Sequence, residues 1–282
     1  MKFGIFIPNY GKFASKKMID TVASNAEKME FDSIWVSDHI IVSKKLSNLF
    51  GTIYEAVSTL AYLSAKVENM ILGTSVVVLP LREPTLFAKQ IATIEQFTEK
   101  EIYLGVGVGW HKEEFDYLKK EFKDRGKIMD NNIISLKKLL TNQNVKDENN
   151  EEFYFSPISK RKGGPPILIG GNSNKAVIRA AKLAEGWHPY KLRAKEIEKK
   201  IKILRKNTSF KKAIIPRISI TFKSMDKVSI NNTEITIRQL IEELESFNNL
   251  GINHIVIDFP VEQEPEKYVE DMKKIKNVIS SF

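Results

Sequence analysis

The chain has 282 residues, 42% of them hydrophobic, a formal net charge of +9 and no cysteine. That length suits one α/β barrel of roughly 250 residues plus an insertion, and the missing thiols exclude disulfides, thiolate metal sites and a cysteine nucleophile. Lysines are scattered through helical segments rather than striped among aromatics, so the charge predicts a solvated surface with a weak pull on anionic ligands and no nucleic-acid partner.

The amino-terminal run Phe3-Gly4-Ile5-Phe6-Ile7 is too short for a secretory leader, and it stops at Pro8-Asn9. The longest apolar stretch, Met70 to Leu81, falls short of a membrane span. A cytoplasmic protein with no membrane contact is the expectation.

Short runs rich in Val, Ile and Phe predict strands at Phe3–Pro8, Ser33–Val36, Ile71–Leu79, Ile102–Gly107, Ile167–Gly170, Gly186–Tyr190, Ile214–Phe222 and His254–Phe259. Between them apolar residues recur three and four apart. Met18, Val22, Ala26 and Met29 mark helix 1; Phe87, Ile91 and Ile94 mark helix 3; Ile237, Leu240, Ile241 and Leu244 mark helix 7, which stops at Gly251. Eight such units predict a (β/α)8 TIM barrel, one domain over residues 1–282, and favour closure over an open doubly wound sheet. Asn142 to Pro165 breaks the rhythm and reads as an insertion between helix 4 and strand 5, a hairpin or lid around Phe153-Tyr154-Phe155. Lys223 to Thr233 is a smaller excursion after strand 7.

Barrel chemistry sits at the carboxyl ends of the strands. Strand 2 runs from Trp35 and Val36 straight into Ser37-Asp38-His39. His39 titrates near neutrality by type and is the candidate proton donor or acceptor; Asp38 is a candidate catalytic or cofactor-binding acid, or a backbone cap. Thr74, Ser75 and Val76 interrupt a β-branched run with small polar groups, which signals a bulge or a close ligand approach. Gly105, Gly107 and Gly109 lack the spacing of a dinucleotide fingerprint; they let a strand end pass close to a backbone or a flat ligand. Gly170-Gly171-Asn172-Ser173 opens helix 5 with capping residues and exposed N–H groups, a capped turn that also suits an anion. Trp110, Trp187 and His188 follow strand ends and could border a planar heterocycle. His254 opens strand 8 and belongs to the opposite face. Asp38, His39 and His188 are too sparse a ligand set for metal, and none is expected.

In this order the residues resemble the luciferase-like monooxygenase superfamily of flavin- and deazaflavin-dependent barrels. The likeness is carried by Phe3–Pro8, Trp35-Val36-Ser37-Asp38-His39, Leu72-Gly73-Thr74-Ser75-Val76, Leu104 through Trp110, Glu113-Glu114-Phe115, Arg125-Gly126, Ile169-Gly170-Gly171 and Gly186-Trp187. The Ser-Asp-His and Gly-Thr-Ser-Val forms resemble the coenzyme F420 branch. That resemblance implies a non-proline cis peptide at Ser75–Val76 backing the deazaflavin. It puts Asp38, His39, Thr74, Ser75 and Val76 at the cofactor, Gly105, Gly107 and Gly109 beside its ring, and Gly170, Gly171, Asn172 and Ser173 at its phosphate. Trp110, Trp187 and His188 would shape the substrate pocket. It implies hydride transfer between F420 and an organic substrate, and a homodimer. The alternatives are an FMN-dependent monooxygenase fed by a separate flavin or deazaflavin reductase, and a flavin-binding barrel without catalysis. One departure stands out: sugar-phosphate dehydrogenases of this branch carry a catalytic glutamate where this chain has Trp110, which argues against sugar-phosphate oxidation.

Overall fold

The computed structural model describes residues 1–224 and 226–280. Eight strands carry the architecture: strand 1 Lys2–Phe6, strand 2 Ser33–Val36, strand 3 Ile71–Thr74, strand 4 Ile102–Gly107, strand 5 Ile167–Gly170, strand 6 Gly186–His188, strand 7 Arg217–Phe222 and strand 8 His254–Asp258. Strands 1 to 6 pair in parallel in sequence order, strand 7 pairs in parallel with strand 8, and strand 8 with strand 1. Ala213–Ile214, just before strand 7, pairs with strand 6, while strand 7 itself pairs with strand 8. The segment 213–222 therefore bonds on both sides and curls the sheet back on itself.

Two strands are shorter than their apolar runs suggest. The 214–222 run is broken at Ile215-Pro216 because proline has no N–H to give a ladder. The 71–79 run is broken at Ser75–Val76, whose peptide bond is cis, and resumes as Val77–Val78 beside strand 4.

A helix follows every strand: helix 1 Lys16–Lys28, helix 2 Ala56–Lys66, helix 3 Pro84–Phe97, helix 4 Arg125–Thr141, helix 5 Asn174–Leu183, helix 6 Ala194–Lys206, helix 7 Ile237–Asn249 and helix 8 Pro265–Ile279. Several of their starts are fixed by side chains. Ser15 accepts from the Met18 N–H, Ser173 accepts from the Ala176 N–H, and Thr236 forms a reciprocal box with Gln239. Between helix 4 and strand 5, Asn144–Lys146 and Glu152–Tyr154 form an antiparallel ladder. After strand 7, Lys227–Ile230 and Thr233–Thr236 form a hairpin that turns through Asn231 and Asn232, both at positive φ; Met225 lies outside the described residues.

The main core lies between sheet and helices. A smaller cluster on the inner face holds Phe6, Trp35, Leu168, Ile215 and Val256. Trp35 fills that interior because its neighbours give way: a Cβ at Gly73, its partner on strand 3, would lie 2.3 Å from the indole. The Trp35 Nε1–H donates to Ser33 Oγ at 2.7 Å, which sits 2.8 Å from His254 Nε2. His254 thus closes the far end of the interior and is remote from the site.

Candidate functional site

The carboxyl ends of the strands surround a cavity of about 340 Å³, within the size range of small-molecule sites. A larger depression, about 740 Å³, lies on the outside between helix 3, helix 4 and the 144–154 hairpin, away from every strand end.

His39 and Glu114 form one pole of the cavity. Strand 2 delivers His39, and the short helix Lys112–Tyr117 delivers Glu114. His39 Nδ1 lies 2.8 Å from Glu114 Oε2, while Glu114 Oε1 accepts from the Ile40 and Ile41 N–H groups at 2.7 and 3.2 Å. Burial works against the Glu114 charge, but the His39 contact and the two backbone donors outweigh it and hold the carboxyl below its ordinary value. An ionised partner at Nδ1 keeps the proton there and leaves Nε2 as the free ring nitrogen of a cavity-lining imidazole. Phe50 and Trp110 pack edge-on to the ring, at 4.8 and 5.7 Å between centroids. His111 joins the same stitching: its Nε2 accepts from the Ser43 N–H at 3.1 Å.

Asp38 does not orient His39. Its Oδ1 takes Arg82 Nη2 at 2.6 Å, and its Oδ2 takes the Val78 N–H at 3.0 Å. Arg82 also pairs with Glu55 at 2.7 Å. Burial pushes the Asp38 carboxyl up, against the pull of Arg82 and the Val78 N–H. The carboxylate borders the cavity, yet its hydrogen bonds tie strand 2 to the chain leaving strand 3.

A second polar network lies across the cavity. His188 Nδ1 donates to the Ile215 carbonyl at 2.5 Å, so its Nε2 accepts the Ser75 hydroxyl at 2.8 Å. Burial lowers the His188 pKa to about 4, and the ring stays neutral, stacked on Trp35 at 5.1 Å. Arg217 Nε pairs with Asp258 at 2.5 Å, and Nη1 donates to the Ser75 carbonyl at 3.2 Å. The guanidinium lies 3.6 Å over Phe6 and 4.9 Å from the Tyr190 ring. Burial raises the Tyr10 hydroxyl and pushes that of Tyr190 to about 12, so both are O–H donors at neutral pH.

The predicted residues separate into two groups. Asp38, His39, Ser75, Val76, Gly107, Gly109, Trp110, Gly170, Gly171 and His188 all border the cavity. Thr74 is buried beneath it, with its hydroxyl on the Gly105 carbonyl at 2.8 Å. Trp187 is fully buried in the shell between sheet and helices and donates Nε1–H to the Gly171 carbonyl at 2.8 Å; it does not shape the pocket. Ser173 spends its hydroxyl on the helix 5 cap. Asn172 clamps the Tyr190 backbone, accepting from its N–H at 3.0 Å and donating to its carbonyl at 2.7 Å.

The strand glycines also have a different first duty. A Cβ at Gly105 would sit 1.9 Å from the Thr74 carbonyl oxygen, and Cβ atoms at Gly107 and Gly170 would each come within 2.8 Å of a Val76 methyl. These glycines make room for the protein's own bulge, which carries Val76 into the cavity. Gly109, at φ +78°, would meet Val78 and Phe115.

Glu114, Arg82, Tyr10, Tyr190 and the Arg217–Asp258 pair were not foreseen. The signal for Arg217 was a charge inside an apolar strand run, and Asp258 ends strand 8 in the same way; Glu114 on its short helix and Arg82, Tyr10 and Tyr190 beyond strand ends reach the mouth only in the closed fold.

The family model for luciferase-like monooxygenases matches residues 1–245. The chain belongs to the luciferase-like monooxygenase family. An uncharacterised relative from Mycobacterium tuberculosis is 35% identical to this luciferase-like chain over 113 residues, 39% of this chain and 38% of that protein. An F420-dependent glucose-6-phosphate dehydrogenase from Nakamurella multipartita is 28% identical over 183 residues, 62% of this chain and 52% of that protein. The chain thus spans about half the length of these curated relatives or less. Among solved structures, a monooxygenase from Streptomyces bottropensis superposes with a TM-score of 0.81 at 15% identity, covering 100% of this chain and 99% of the other. An F420-dependent secondary alcohol dehydrogenase superposes at 0.75 and 15% identity, covering 99% and 98%. These structures share the fold of this luciferase-like α/β protein. Among its described residues, no helix is long and apolar enough to cross a membrane.

Proposed function

We propose that this protein is an oxidoreductase that moves hydride between coenzyme F420 and an organic substrate, with His39 handling the accompanying proton. The observation that carries the reading is the His39–Glu114 pair: an imidazole pinned at Nδ1 by a carboxylate, with Nε2 free at a cavity of ligand size. Relatives with F420 in their names support the choice of cofactor.

The cavity residues fit a flat heterocycle. Val76, Val78, Phe50 and Trp110 supply apolar surface, and the backbone at Gly107 and Gly170 carries no Cβ to obstruct it. The Gly170-Gly171 turn leads into the helix 5 N-terminus, whose N–H groups suit a phosphate. Val76 and Gly107 would back the ring, and the Gly171–Ser173 turn would hold the phosphate. When bound, F420 supplies or accepts the hydride, as the cofactor carries the redox chemistry. Glu114 keeps the proton on Nδ1, and Nε2 gives or takes the proton that the substrate exchanges. Phe50 and Trp110 cover the imidazole and limit water at that nitrogen. Sugar phosphates are not the proposed substrates, because Trp110 stands where those dehydrogenases carry their acid.

Titrating the purified protein with F420 and FMN tests the cofactor; tight FMN binding with none for F420 replaces the proposal by the monooxygenase reading. His39→Ala should keep F420 affinity and lose about 10²–10⁴ in turnover on a panel of alcohols and carbonyl compounds. Glu114→Gln should lose turnover in the same direction. Cofactor binding with no turnover of any panel member in the unaltered protein would favour a non-catalytic barrel.

A further inference from the structure

We infer that Tyr10, Tyr190 and Arg217 form a recognition site for a neutral carbonyl oxygen on the substrate, a second pole of the cavity distinct from His39. The inference rests on the reading above for there being a substrate at all.

All three residues line the same cavity as His39. They come from the ends of strands 1 and 6 and the start of strand 7, whereas His39 comes from strand 2. The Phe50 ring stands between the poles, 4.8 Å from His39 and 5.4 Å from Tyr10. A ligand that reaches both must extend past one aromatic ring.

The donors are aimed and held. Tyr190 is fixed by the two Asn172 bonds and by the Lys191 N–H bond to the Arg217 carbonyl at 2.9 Å. Its hydroxyl has no hydrogen-bond partner among the described residues, although its ring is flanked by Arg217. Tyr10 is set by edge contact with Phe6 at 5.9 Å, and its hydroxyl faces the Arg217 guanidinium. Arg217 spends Nε on Asp258 and Nη1 on Ser75, and its guanidinium also hydrogen-bonds the Tyr10 oxygen, which leaves the Tyr10 O–H to donate into the cavity.

Charge decides the ligand class. Asp258 offsets the Arg217 charge at 2.5 Å, Arg82 and Asp38 offset each other at 2.6 Å, and Glu114 places a carboxylate behind His39. A carboxylate would meet no net positive field here. A neutral carbonyl oxygen accepts from the tyrosine hydroxyls without that cost, and donors placed ahead of time need no reorganisation when charge builds on such an oxygen.

The test measures dissociation constants for acetophenone, ethylbenzene and benzoate by calorimetry, on the protein with and without F420. Acetophenone is expected to bind about five- to tenfold tighter than its hydrocarbon counterpart, as one or two net hydrogen bonds provide, and tighter than benzoate. The Tyr10→Phe/Tyr190→Phe variant, which keeps both rings, should lose that preference, and its F420 affinity should stay unchanged. Three results would each overturn the assignment: no preference for acetophenone in the unaltered protein, benzoate binding more tightly than acetophenone, or the preference surviving in the double variant. A fall in F420 affinity with the acetophenone preference intact would move the recognised oxygen to the cofactor and also overturn it. Failure of F420 to bind at all bears on the proposed function, while the cofactor-free arm still reads the carbonyl site.

Discussion

Replacing Gly170 by alanine should push a methyl group into Val76. The new Cβ would lie 2.8 Å from Val76 Cγ1 and 3.0 Å from Cγ2, well inside the roughly 3.5–4.0 Å at which carbon atoms attract. Overpacking of this kind costs about 1–3 kcal/mol, and each kcal/mol lowers Tm by roughly 2–4 °C in a chain of this size. The three atoms nearest to that Cβ all belong to the Val76 side chain. Val76→Ala should therefore remove the obstacle, and the Gly170→Ala/Val76→Ala variant should be more stable than the sum of the single losses by about 1–2 kcal/mol. Gly105→Ala supplies the contrast. Its Cβ would strike the Thr74 carbonyl oxygen at 1.9 Å, which is backbone, so Val76→Ala should not rescue it. Urea denaturation with a common m-value measures the parent, the three single variants and the two double variants that add Val76→Ala. Purely additive losses for Gly170→Ala and Val76→Ala, or rescue of Gly105→Ala, would refute the claim that these glycines exist to seat the bulge.

The buried imidazoles should make stability fall in mild acid. Burial lowers His188 to about 4 and His254 to about 3, from an ordinary value of 6.5. Unfolded protein takes up the protons first, so stability is full above pH 6.5 and is lost as the pH falls toward those values, by about 3 kcal/mol for His188 alone. His188→Gln should flatten a Tm profile taken from pH 7 to pH 5, and an unchanged slope would count against it. Arg217→Met should cost about 3–5 kcal/mol by chemical denaturation, because Asp258 would stay buried without its partner; a loss under 1 kcal/mol would show that the pair is solvated. The two tryptophans should behave oppositely. Trp110→Ala, at 59% exposure, should stay within about 0.5 kcal/mol of the parent, whereas Trp187→Ala should lose about 3–5 kcal/mol from the core.

The strand order was legible because strands buried on both faces read as continuous apolar runs. Ser33–Val36, Ile102–Gly107 and Ile167–Gly170 carry the bounds expected of them. The runs at 71–79 and 214–222 misled because apolar content persists through a cis bond and a proline that interrupt the ladder. At the site, His39 was legible from its place at a strand end. Glu114 was visible in the sequence but had no assigned partner, since it lies 75 positions away and meets His39 only after the chain has made two more strands. Residue type showed that something must come close to Gly105, Gly107 and Asn172, and only the fold showed that Thr74, Val76 and Tyr190 are among their neighbours.

The carboxylate of Glu114 holds the backbone of residues 40 and 41 as well as the His39 imidazole at the edge of the pocket. The segment after strand 2 and the short helix Lys112–Tyr117, far apart in the chain, therefore act as one unit. A chimaera that imports the 37–53 segment from a homologue without the matching 110–117 segment would lose its anchor, so remodelling of this entrance should proceed by exchanging both together.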